Sequence, residues 1–226
     1  LTTGPLIMAS SDGMFFKGAE KVKLEGKHVL VTGGAGFIGS HLVDELLRRG
    51  AYVKVVDNLS RGKLTNIRHC LDEIKFVKAD LASKKAAEES VKDVDLCFHL
   101  AATVGGVGYM ASHPSEIFKT VCIDHNVLDA CRKMEVERLL YTSSACVYPI
   151  DLQKNVNQAP LKEDDALAYG AKPDSDYGWV KLLGEIQCQS YHKIYGTKIA
   201  IVRPFNPYGE REIFDAQWFF SPKGNK

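Results

Sequence analysis

Short apolar runs alternate with longer mixed segments from Lys27 onward. His28–Thr32, Tyr52–Val56, Ile74–Val77, Val94–Leu100, Arg138–Tyr141 and Lys198–Val202 are rich in β-branched and aliphatic residues, and each predicts a buried strand. Between them, Phe37–Arg49 carries Phe37, Ile38, Leu42, Val43, Leu46 and Leu47 at helical spacing, and Gly50 follows as a stop. Ser83–Val91 reads as a helix opened by a serine cap. Pro114–Met134 reads as a long helix with proline in its first turn, and Asp174–Tyr195 as another closed by Gly196. Strands alternating with helices of this length predict an α/β fold, a doubly wound parallel sheet of the Rossmann type. The polar stretch from Pro149 to Pro173 lacks periodicity and predicts a long loop, functional or mobile.

With 226 residues, the chain fits one large domain or one domain plus part of another. Basic and acidic residues number 29 and 28, a net charge of +1, which gives no electrostatic reason to expect nucleic acid or an anionic membrane as partner. No apolar run approaches the ~20 residues that span a bilayer, and residues 1–20 do not read as a signal peptide. Residues 1–26 are set apart as an N-terminal extension. The six cysteines (Cys70, Cys97, Cys122, Cys131, Cys146 and Cys188) form no CxxC pair and no zinc spacing, so no metal is expected. Cys97 and Cys122 read as small core residues, and the pattern suits a reducing cytoplasm.

The first candidate chemistry lies where strand one meets helix one. Gly33-x-x-Gly36-x-x-Gly39 follows a predicted strand and opens a predicted helix. One glycine permits the tight turn, one lets backbone approach a pyrophosphate, and one lets helix and strand pack closely. The helix N-terminus offers unpaired N–H groups to the phosphates, with Phe37 and Ile38 in its first turn. Asp57 ends strand two, eighteen residues past Gly39, with Asn58 beside it. A carboxylate there accepts both adenosine ribose hydroxyls and repels a 2′-phosphate, which favours NAD. Arg61 just behind it keeps NADP open. Asp80 and Leu81 either meet the adenine edge or cap the next helix. Leu100, Ala101 and Ala102 end strand four with side chains small enough for a cofactor to lie across them.

A second constellation follows. Tyr177-Gly-Trp-Val-Lys181 puts a phenol and an ammonium on one helix face. A nearby lysine charge favours phenolate, so Tyr177 is expected to have a lowered pKa and to serve as a general base. Ser143 and Ser144, at the end of strand five, offer hydroxyls for a substrate oxygen.

Together TGGAGFIG, VVDNLSRG, HLAA, SSACVY, YGWVK and RPFNPYG make the chain resemble an extended short-chain dehydrogenase/reductase of the nucleotide-sugar epimerase/dehydratase group, over residues 27–209. The resemblance implies bound NAD, transient hydride transfer and a keto-sugar intermediate, with Ser144, Tyr177 and Lys181 as the catalytic triad and Asn206 near nicotinamide or substrate. Thr103-Val-Gly105-Gly106 resembles a segment of GDP-mannose 3,5-epimerases and GDP-fucose synthases, so Gly105 and Gly106 are expected to touch substrate. Cys146 resembles the acid/base cysteine of those enzymes; the plainer alternative is a small residue filling the strand end.

The match fades after Gly209, where Glu210 replaces the family's usual proline. Residues 210–226 are too few for a substrate domain, so that domain is expected to be truncated or largely missing. The implied protein is an NAD-dependent nucleotide-sugar epimerase or related oxidoreductase using a GDP- or UDP-linked sugar. The alternative is a non-catalytic NAD-binding module or a fragment lacking turnover. Relatives often pair through a four-helix interface, which implies a homodimer using Pro114–Met134 and Asp174–Tyr195.

Overall fold

A computed structural model describes residues 7–8, 22–105, 113–153, 160–168 and 170–213. Strand β2 (His28–Thr32) lies in the interior of a wholly parallel sheet, with Val29 opposite both Val53 of β3 (Tyr52–Asp57) and Leu96 of β5 (Leu96–His99). Outward on one side lies β4 (Ile74–Lys78). On the other lie β6 (Arg138–Thr142), β7 (Ile199–Val202) and the two-residue β1 (Ile7–Met8). The order β1-β7-β6-β5-β2-β3-β4 reverses direction at β2, between β5 and β3. That reversal opens the crevice where doubly wound sheets bind ligands, beyond the carboxyl ends of the strands. Residues 1–26, set apart in the sequence reading, thus supply one short edge strand.

The sheet is buried on both faces because successive strand residues point to opposite sides. Val29 and Val31 of β2 join Val53, Val55, Val43 and Leu46 under α1 (Phe37–Arg48). Leu30, between them, joins the opposite layer with Cys97, Val127, Leu128, Leu139 and Ile201. That layer is closed by α2 (Lys84–Ser90), α4 (Lys119–Lys133) and α7 (Asp176–Tyr195). On α1 the buried stripe runs through Gly39, Ser40, Val43 and Leu46, while Ile38 is exposed at the crevice.

Cap chemistry explains the helix limits. Ser83 Oγ accepts from the Ala86 N–H and Ser175 Oγ from the Gly178 N–H, so α2 and α7 begin one residue after each serine. Gly196 ends α7 in the left-handed region, at φ 71°. The helix expected over Pro114–Met134 is interrupted. It forms α3 (Pro114–Ile117) and α4, joined at Phe118, whose carbonyl accepts a tightened bond from the Val121 N–H. The long loop contains two single-turn helices, α5 (Ile150–Gln153) and α6 (Asp165–Ala168).

All six cysteines are free thiols. Cys97 is buried as expected, but Cys122 is exposed, because its position on α4 faces away from the sheet. Among the described residues, Asp44, His69 and Cys70 could gather around a metal ion. The Asp44 carboxylate is already engaged by His69 and by the Arg211 guanidinium, both at 2.7 Å, which disfavours a cation there.

Candidate active site

The carboxyl ends of β2, β3, β5 and β6 open into one cleft of about 650 Å³. The glycine turn builds its floor. Gly33 holds φ 69°, in the region glycine tolerates. A Cβ added there would come within 2.9 Å of the Ala101 backbone nitrogen, and one added at Gly39 within 2.3 Å of the Gly33 carbonyl oxygen. Gly36, the N-cap of α1, faces the cleft with the helix N-terminus behind it. This is a cradle that side chains would fill, aimed by a helix end that favours phosphate charge.

Asp57, the last residue of β3, lines the cleft. Its carboxylate accepts N–H bonds from Ala35 at 3.0 Å and Leu59 at 2.8 Å. Burial pushes its pKa up and these two bonds oppose the rise. Asn58 lies beside it on the cleft wall. Arg61 also lines the cleft and donates to the Val104 carbonyl at 3.2 Å. Asp80 accepts from the Ala82 N–H, leaving the α2 cap to Ser83, and lines the cleft with Leu81. Leu100, Ala101 and Ala102 lie along its middle.

The second constellation faces the same space. Ser144, Cys146, Tyr177, Lys181 and Asn206 all line the cleft. Ser144 caps a single turn of 3-10 helix over Ala145–Val147, its Oγ accepting from the Cys146 N–H at 3.2 Å. α7 approaches that turn so closely that a Cβ at Gly178 would meet the Cys146 carbonyl oxygen at 2.2 Å. The glycine of Tyr177-Gly-Trp-Val-Lys181 is therefore what brings the helix to the serine loop. Gly105 lines the cleft, and Gly106 lies outside the described residues.

Two expectations need correction. Lys181 does not depress the Tyr177 pKa in the cofactor-free site. Burial pushes the phenol well up, with Cys146 and Asp124 adding to the rise. Lys181 itself is buried, and burial lowers its own pKa while Asp124, Cys188 and Glu185 oppose the fall. Ser143 reaches the cleft wall, but its hydroxyl donates to the buried Glu185 carboxylate. Glu185 in turn accepts two bonds from Arg203, each at 2.8 Å. Ser143 is thereby tied into a buried network. Cys146 is half-buried, and burial raises its thiol pKa while Ser144 opposes the rise.

Sequence reading missed the polar groups beneath the site: Thr32, His99, Asp124, Tyr141 and Glu185, all buried. A signal existed, since Asp124 and Glu185 share helix faces with core residues such as Val127 and Cys188. Arg211, Glu212 and Ile213 also line the cleft.

A glycine turn, a carboxylate at the end of β3 and a Ser–Tyr–Lys set in one crevice are the arrangement of a dinucleotide-binding protein of the extended short-chain dehydrogenase/reductase type. Residues 29–220 match the model of the NAD dependent epimerase/dehydratase family. The chain belongs to that family. It is 36% identical over 186 residues to a GDP-mannose 3,5-epimerase of Arabidopsis thaliana, covering 82% of this chain and 48% of that protein. It is 35% identical over 187 residues to a UDP-N-acetyl-alpha-D-glucosaminuronate decarboxylase of Bacillus cytotoxicus, covering 82% and 56%. A solved UDP-glucose 4-epimerase of Thermus thermophilus in complex with NAD superposes with a TM-score of 0.73 at 33% identity, covering 82% of this chain and 57% of that one. The chain thus spans about half the length of the curated relatives it matches.

Proposed function

We propose that this chain acts as an NAD-dependent nucleotide-sugar epimerase or related oxidoreductase, working through a keto-sugar intermediate. One observation carries the reading: Ser144, Cys146, Tyr177 and Lys181 line the same cleft as the glycine turn and Asp57. Bound NAD would supply the hydride acceptor and donor. As phenolate, the form that a cationic nicotinamide bound beside it would favour, Tyr177 takes the proton from the sugar hydroxyl as that carbon is oxidised and returns it afterwards. Ser144 hydrogen-bonds the same oxygen, and Lys181 holds Tyr177 and the cofactor ribose. Once the ring carries a ketone, protons on adjacent carbons are acidic, and Cys146 is the proposed group that exchanges one, a reading supported by its position among the cleft-lining residues. Gly105, Gly106 and Asn206 are the proposed sugar contacts.

The substrate class is a GDP- or UDP-linked sugar, supported by relatives that carry both names. Among the described residues no helix is long and apolar enough to cross a membrane. Six free thiols suit the reducing cytoplasm we propose as its location. Trp179, Leu183 and Ile186 form an exposed apolar stripe on α7, with Phe118 exposed at the start of α4. These helices pack side by side, and the stripe supports a homodimer through them.

The test is incubation of the NAD-loaded protein with GDP-mannose or UDP-glucose in deuterated water. Epimer formation, or deuterium on a ring carbon, is the expected result, abolished by Tyr177→Phe. Neither product from a folded, NAD-loaded sample with either sugar would refute the proposal.

A further inference from the structure

The relay beneath Tyr177 and Lys181 is fully paired, and its pairing leaves one charge to be accounted for. Thr32 Oγ1 accepts the N–H groups of Leu100 and Ala101, both at 3.1 Å. A hydroxyl has two acceptor sites and one proton, so that proton is left for His99 Nδ1, at 2.7 Å. The hydrogen at His99 then sits on Nε2 and is donated to Asp124 Oδ1 at 3.0 Å. Tyr141 donates its hydroxyl proton to Asp124 Oδ2 at 2.8 Å. Every bond is satisfied with a neutral imidazole, so the Asp124 carboxylate keeps its full negative charge at 0% exposure. A buried carboxylate without a counter-charge is strongly disfavoured.

The matching cation is Lys181, 2% exposed, with Nζ 4.6 Å from the centre of the Tyr141 ring. Tyr141 therefore stands between the two charges, offering its ring face to one and its hydroxyl to the other. Lys181 is faced by Asp124 from α4, by Tyr141 from β6, and by Glu185 and Cys188 from its own helix. Glu185 is already matched by the two bonds from Arg203 and the one from Ser143. The close approach is built in at Gly184, where a Cβ would come within 1.9 Å of Tyr141 Oη and 2.7 Å of Asp124 Oδ2.

We propose that Asp124 is the counter-charge of Lys181, a positioning residue that acts through Tyr141 to keep the lysine an ammonium at the floor of the cleft. The relay also links the lysine to the glycine turn, because Thr32 ends β2 immediately before Gly33. The proposal rests on Lys181 belonging to the hydride-transfer site, but its test needs no turnover.

Lysine-selective isotope labelling of the whole chain gives an NMR signal for each ammonium, and Lys181→Met assigns the one in question. Asp124→Asn keeps the shape and removes the charge. The expected result is a fall in the Lys181 pKa of about one unit or more, tenfold in its protonation equilibrium. An unchanged Lys181 titration would overturn the proposal. If Asp124→Asn does not fold, the double variant with Lys181→Met decides. Recovery of a folded protein is expected when both charges go together, whereas a double variant as unfolded as the single one would reduce Asp124 to a hydrogen-bond acceptor for His99 and Tyr141. Failure of the epimerase reading would appear as absent turnover with the Lys181 shift intact.

Discussion

Gly39 packs against the carbonyl oxygen of Gly33 at a distance that leaves no room for a side chain, since a Cβ would lie 2.3 Å away. The contact joins the first turn of α1 to the end of β2, so it sets where the helix N-terminus points. Gly39→Ala must push the helix off the turn. Overpacking of this kind costs about 1–3 kcal/mol, and NAD affinity should fall by tenfold or more as the phosphate-facing N–H groups move. Urea unfolding and calorimetric titration with NAD measure the two effects. A variant with unaltered NAD affinity would separate the turn from the cofactor.

Arg203 and Glu185 form a bidentate ion pair at 7% and 0% side-chain exposure, and the pair holds Ser143 and Tyr148. Breaking a buried pair from one side strands the other charge. Arg203→Met should therefore destabilise the chain by about 3–5 kcal/mol, read from urea unfolding. A loss of under ~1 kcal/mol would show that solvent reaches Glu185.

Tyr177 carries a pKa raised by burial above its ordinary value of 10.0, with Cys146 and Asp124 adding to the rise. An acid that holds its proton more tightly when folded stabilises the fold less as pH rises past the unfolded value. The NAD-free chain should lose stability above pH ~10, and Tyr177→Phe should lose less over the same interval. Unfolding midpoints across that range, alongside tyrosinate absorbance, test this. Identical slopes for the two proteins would show that the phenol titrates normally.

Leu183 stands between Trp179 and Ile186 on the exposed stripe of α7. If that stripe is a dimer interface, Leu183→Asp buries an unpaired charge there and should give a monomer by light scattering. An unchanged mass would place any assembly elsewhere.

Local chemistry made the cofactor half legible in the sequence. The glycine turn, Asp57, the serine cap of α2 and the Tyr177–Lys181 spacing each depend on neighbours close in the chain. The polar layer beneath them does not. Thr32, His99, Asp124 and Tyr141 come from four separate elements and meet only once β2, β5, α4 and β6 are side by side. The Tyr177 pKa went the wrong way for the same reason, because spacing along a helix carries no measure of burial. The break at Phe118 was also hidden, since the apolar pattern runs through it unbroken.

The central claim is that the cleft is an NAD site and that the Asp57 carboxylate makes it selective for NAD over NADP. It already accepts N–H bonds from Ala35 and Leu59, so it is fixed in place before any ribose arrives. Calorimetric titration of the chain with NAD and then NADP tests the claim most directly. The account predicts one NAD per chain, tighter binding of NAD than of NADP, and a loss of at least tenfold in NAD affinity for Asp57→Ala with little change for NADP. Tighter binding of NADP by the unaltered chain, or no binding of either dinucleotide, would contradict it.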